Sequence, residues 1–88
     1  MCRNIRPLYN FTPPATDDEI HAASLQFIRK ITGFNKPAKS NEAAFENAVN
    51  QVALISKNLL NALVTTATPR DREVEALKAK ARAKLRFG

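Results

Sequence analysis

The chain has 88 residues, one cysteine, and 14 Lys/Arg against 8 Asp/Glu, for a net charge of +6. That length holds one small domain with a thin stability margin, and a single cysteine excludes an internal disulfide and any multi-cysteine metal site. No uncharged apolar run reaches the roughly 18 residues of a membrane span, and the N-terminus carries no signal-peptide pattern, so the expectation is a cytoplasmic protein with no membrane partner.

Residues 1–15 (MCRNIRPLYNFTPPA) have no helical period. Pro7, Pro13 and Pro14 hold φ near −65° and push Arg6 and Thr12 toward extended backbone. Ile5, Leu8, Tyr9 and Phe11 are too apolar to leave in water, which predicts an extended arm laid along helices. A short strand is conceivable there, but the sequence offers no evident second strand to pair with it.

The first helix is expected over 17–32. Thr16 with Glu19 three residues on forms a capping box, and Asp17, Asp18 and Glu19 suit the positive end of the helix dipole. Ile20, Ala23, Ser24, Phe27, Ile28 and Ile31 make the apolar stripe. Gly33 supplies a left-handed stop, with Phe34 placed to fold back on the last turn. The linker GFNKPAKS is too long for the turn of a helix-turn-helix.

The chain is organised around the next helix, expected over 41–64 behind a Ser40–Asn41 start. Phe45, Ala48, Val49, Val52, Ala53, Ile55, Ser56, Leu59, Leu60 and Leu63 fall on one broad face. An arc close to half the circumference needs two packed neighbours, and the chain has one helix on each side. The opposite face carries Asn47, Asn50, Asn58 and Asn61 with Leu54 in their midst. Glu and Lys are the commoner choices on a solvated helix face, so this asparagine face is a candidate contact surface for a homodimer or a partner protein. Ordinary drift on a polar face explains it equally well.

A third helix is expected over 69–86, with Thr68 as its cap, Pro69 at its first position and Asp71 at the third. Val74, Leu77, Ala81 and Leu85 form a narrow apolar stripe. Together these elements predict an all-α fold, an extended N-terminal arm followed by a three-helix bundle with a long central helix.

Charge is concentrated at the ends. Residues 69–88 hold seven basic residues against three acids, while residues 41–68 hold one against two. Lys78, Lys80, Arg82, Lys84 and Arg86 follow one another with no acid between them, and pairs four apart repel by a few tenths of a kcal/mol in an isolated helix. A nucleic acid backbone would turn that repulsion into attraction through counterion release. Arg3, Arg6, Lys36 and Lys39 could extend the patch. A solvated basic tail that aids solubility is the plainer account.

Chemistry has fewer seats. Loss of the initiator Met would leave Cys2 with its amine and thiol together, beside Arg3, able to act as a nucleophile. The single histidine, His21, is its one candidate partner, and a merely terminal cysteine with a rim histidine is the plainer account. No phosphate-binding loop, zinc motif, CxxC or serine-nucleophile elbow occurs, so no cofactor or metal is expected and an enzyme would have little to work with.

The blocks MCRNIR, PPATDDEI, GFNKPAKSNEAAF and PRDREVEALKAKARAKLRFG, in that order, resemble a family of small bacterial proteins classed as a domain of unknown function, family 2277. The resemblance implies a free-standing single domain with no established activity, and brings no catalytic residues. It also implies that Cys2, Arg3 and Asn4 belong to the family's start. The reading that results is a non-catalytic binding protein contacting an anionic partner, nucleic acid first, through its C-terminal helix. A structural or adaptor protein acting by association comes second, and thiol chemistry at Cys2 third.

Overall fold

The computed structural model of the chain describes residues 5–87, with side chains placed up to residue 85. In chain order the elements are β1 (Phe11–Thr12), α1 (Asp17–Thr32), α2 (Glu42–Ala62), β2 (Arg70–Asp71) and α3 (Arg72–Phe87), and a 3-10 turn over Lys39–Asn41 leads into α2. The class is all-α, with three helices in the expected order. Among the described residues no helix is long and apolar enough to cross a membrane.

Local signals set the ends of α1. The Thr16 hydroxyl accepts the Glu19 N–H at 3.2 Å, and Glu19 Oε1 accepts the Thr16 N–H at 2.9 Å, so two otherwise unmatched amides of the first turn are satisfied. At the other end Gly33 takes φ +77° and its N–H donates to the Arg29 carbonyl at 2.9 Å. Phe34 does not fold back to cover the last turn; it stays exposed, its N–H donating to Thr32 Oγ1.

α1 and α2 pack as an antiparallel pair, and their seam holds the core. Ile20, Ile28 and Val49 are buried there with Ser24. The Ser24 hydroxyl donates to the Ile20 carbonyl at 2.8 Å, so this small polar residue lies in the seam without an unmatched group. Ala53, Ser56 and Leu60 are half-buried beside Val49. Ile55, Leu59 and Leu63, on the far side of the same arc, remain exposed, as do Phe27 and Ile31 of α1. α2 thus receives one of the two neighbours that its apolar arc requires.

The second neighbour is missing because α3 is tied elsewhere. The arm does find a strand partner, contrary to the sequence expectation: β1 pairs in parallel with β2, Phe11 opposite Arg70 and Thr12 opposite Asp71. Asn10 makes this possible. It adopts φ +62°, a left-handed conformation that asparagine tolerates better than most residues. Its carbonyl accepts the Arg70 N–H at 2.9 Å, and its side-chain amide donates to the carbonyls of Ala67 and Thr68 at 3.3 and 3.5 Å.

The same pairing moves the start of α3. Thr68 and Pro69 do not open it. Asp71 does, its Oδ1 accepting the N–H groups of Glu73 at 2.8 Å and Val74 at 3.1 Å. Arg70 and Asp71 are held extended by their pairing with β1, so the helix starts after β2, and an aspartate there is a good cap. The apolar stripe of α3 is left uncovered: Val74, Leu77 and Leu85 are all exposed. The result is a flat molecule, 45 × 37 × 16 Å, with a radius of gyration of 15.8 Å where about 12 Å is usual for this length.

Candidate nucleic-acid interface

Glu19 is the point at which arm, α1 and α3 meet. Beyond its capping role, its Oε2 accepts hydrogen bonds from Arg72 Nη1 at 2.8 Å and Arg6 Nη2 at 3.2 Å. Arg72 also donates from Nε to the Pro13 carbonyl at 2.6 Å, so one guanidinium clamps the arm and the first helix together. The Glu19 side chain is only 18 % exposed. The Arg72 hydrogen bond, then that from the Thr16 backbone, hold its carboxyl at about 2, well below its ordinary 4.5, against the opposing effect of burial. Glu19 in turn raises the pKa of Arg72, chiefly through the same hydrogen bond.

Around this junction the cations converge. Arg70 lies over the Phe11 ring at 4.5 Å from its centroid and Arg72 at 5.9 Å. Arg6 from the arm, Arg70 from β2, and Arg72 and Arg82 from α3 line a groove of about 530 Å³, with Leu8 and Phe11 among its apolar walls. Its acids are Glu19 and Glu75, so four guanidiniums face two carboxylates. The groove is an electropositive trough with an aromatic wall.

Of the cations singled out from sequence, Lys78 meets Glu75 at 3.8 Å, one turn back along α3. Lys80, Arg82 and Lys84 are exposed and make no ion pair among the described residues. Arg82 lines the groove from α3 and Arg6 lines it from the arm, whereas Lys80 and Lys84, two positions either side of Arg82, project from the other side of the helix. Lys36 and Lys39 are exposed in the α1–α2 connection and do not line the groove. They follow the C-terminal end of α1, a helix roughly 24 Å long, whereas Glu19 holds α3 near its N-terminal end. The Cys2 and Arg3 expectations, and the side chain of Arg86, lie outside the described residues.

His21 is exposed on α1 and lines a shallow cleft of about 340 Å³ with Asp17, Asp18, Asn50, Leu54 and Lys57. Lys57 Nζ reaches Asp17 at 3.1 Å across that cleft. Among the described residues no three His, Cys, Asp or Glu side chains gather as metal ligands would. Asn47, Asn50, Asn58 and Asn61 are exposed on α2, with Leu54 among them at 59 %.

Sequence reasoning missed Arg70, Arg72 and Phe11, and took Glu19 for a helix cap alone. The PRDRE segment was the available signal: two arginines flanking an aspartate at a helix start, where acids alone would suit the dipole.

The fold and its groove define a small all-α protein in which an extended arm and a basic third helix share one arginine-lined surface. The chain belongs to the family described as Uncharacterized conserved protein (DUF2277), whose model matches residues 1–78. No curated protein and no solved structure matches it. The matched stretch contains Arg6, Phe11, Glu19, Arg70 and Arg72, while Lys80, Arg82, Lys84 and Arg86 lie beyond it.

Proposed function

We propose that the protein is a non-catalytic binding protein whose basic third helix contacts an anionic partner, the backbone of a nucleic acid. The observation that supports this reading is the groove itself, where Arg82 of α3 stands with Arg6, Arg70 and Arg72. Among the described residues Lys80, Arg82 and Lys84 make no ion pair. Phosphates replace the counterions that such unpaired cations otherwise gather, and arginine presents a planar fork suited to phosphate oxygens. Net charge of this sign also speeds encounter with a polyanion.

The test is fluorescence anisotropy of a labelled duplex with a variant in which Lys80, Arg82, Lys84 and Arg86 are changed to glutamine. Its affinity should fall, and the slope of log affinity against log salt should become shallower by about one for each lost phosphate contact. An unchanged slope removes these residues from the interface. Arg70→Gln, which leaves the Glu19 junction untouched, separates the groove from the helix: weaker binding would include the groove.

A second reading, a structural or adaptor protein acting by association through Asn47, Asn50, Leu54, Asn58 and Asn61, draws support from the exposure of Leu54 amid those asparagines.

A further inference from the structure

The chain carries two uncovered apolar surfaces that do not meet each other. The first is the α1–α2 face, where Leu8, Ala23, Phe27, Val52, Leu59 and Leu60 help to line a groove of about 410 Å³. Ile55 extends that face along α2 at 66 % exposure, and Leu59 within it is 56 % exposed. The second is the stripe on α3, where Leu77 is 63 % and Leu85 88 % exposed. At about 100° per residue, Ala76 and Ala79, which line the arginine groove beside the arm, project from the opposite side of α3 to Leu77, Ala81 and Leu85. The stripe therefore faces away from the chain's own body.

The amount of uncovered surface matches a missing partner. The chain exposes 7164 Å², against about 5,200 Å² for a compact monomer of its mass. The excess, about 2,000 Å², is the share that one subunit contributes to a large obligate dimer interface. The lengths agree as well, since α3 and α1 each have 16 residues.

We propose that the protein is a homodimer in which the α3 stripe of each copy packs into the α1–α2 groove of the other. The three-helix bundle is then completed between two chains. Each copy offers one groove and one stripe, so a two-fold arrangement satisfies both surfaces at once and closes without leaving either free. Arg72, Glu19 and the β1–β2 pairing hold the root of α3 against its own arm, which keeps its stripe from reaching its own groove. Charge opposes the union, because each chain carries +6. The named lining of the α1–α2 groove has no charged residue, however, and repulsion between more distant cations is screened over about 8 Å at physiological salt. Association should therefore strengthen as salt rises, the reverse of phosphate binding.

Sedimentation equilibrium of the full chain tests this, run from about 1 to 100 µM at two salt concentrations alongside far-UV circular dichroism. The wild type should give twice the 9.8 kDa mass of the chain. Leu59→Glu, in the groove, and Leu77→Glu, on the stripe, should each weaken the dimer at least about thirtyfold, as loss of a central contact does. Both positions are exposed in the single chain, so helical content should persist. Leu54→Glu, on the asparagine face, should leave the dimer intact. A monomeric wild type at 100 µM overturns the proposal. So does a dimer that survives either Leu59→Glu or Leu77→Glu, and so does one broken by Leu54→Glu alone.

Discussion

Replacing Glu19 by glutamine probes the junction that decides where α3 sits. The side-chain amide keeps an oxygen that can accept the Thr16 N–H, so the helix cap survives in part. What is lost is the charge between Arg72 at 2.8 Å and Arg6 at 3.2 Å. A shielded hydrogen bond between charged groups contributes about 1.5–3 kcal/mol, whereas an exposed ion pair contributes about 0–1. Arg6 is 59 % exposed and belongs near the lower figure; Arg72, at 30 %, lies between the two. The expected loss is about 1–2 kcal/mol after solvent screening, or a fall of about 5–10 °C in Tm for a domain of this size. Thermal unfolding followed by circular dichroism at fixed protein concentration measures it.

Its pH dependence makes the test specific. The Glu19 carboxyl is held down to about 2 from 4.5, so its stabilisation is complete above the ordinary carboxylate range and disappears as pH falls through that range toward 2. The gap in Tm between wild type and Glu19→Gln should be widest at pH 6–7 and should narrow steadily below about pH 4.5. Equal Tm values at neutral pH, or a gap that persists undiminished at low pH, would refute the role given to this carboxylate.

Three further substitutions test neighbouring parts of the argument. Gly33→Ala should cost about 1 kcal/mol in urea unfolding, because φ is +77° while nothing lies within 4 Å of the added Cβ, so backbone strain is the whole effect. Asn10→Ala should cost about 1–2 kcal/mol by removing the bonds to Ala67 and Thr68 at a left-handed position; Asn10→Gly, which relieves φ, should cost less. Arg72→Lys keeps the charge but not the fork that reaches Glu19 and Pro13 together, and should lower the unfolding midpoint in the same assay.

The three helices could be read from the chain because their signals are local. Thr16 and Glu19 lie one turn apart, Gly33 meets its partner Arg29 within the same turn, and the α2 arc repeats at helical spacing. The location of α3 could not be read this way. It depends on Asn10 meeting residues 67, 68 and 70, and on Arg72 meeting Pro13 and Glu19, contacts between segments more than 50 residues apart with no periodic pattern behind them. β1 and β2 are two residues each, too short for the alternation that marks a strand. The apolar arc of α2 did state a need for two neighbours, but not that Ile55, Leu59 and Leu63 would stay exposed while α3 is held against the arm. The basic run was plain in the sequence. The arginine groove was not, because Arg6 and Arg70 come together with Arg72 and Arg82 only through the fold.

The proposal of phosphate contact is tested most directly by titrating the wild-type protein into labelled duplex DNA and single-stranded RNA and following anisotropy from about 50 to 300 mM salt. The account predicts saturable binding whose logarithm falls linearly with log salt, with a slope of about −3 to −4 on duplex if four cations reach phosphates. The stronger of the two ligands then identifies the class of nucleic acid. Absence of binding at the lowest salt, or binding that salt leaves unchanged, would contradict it and return the basic helix to a role in solubility.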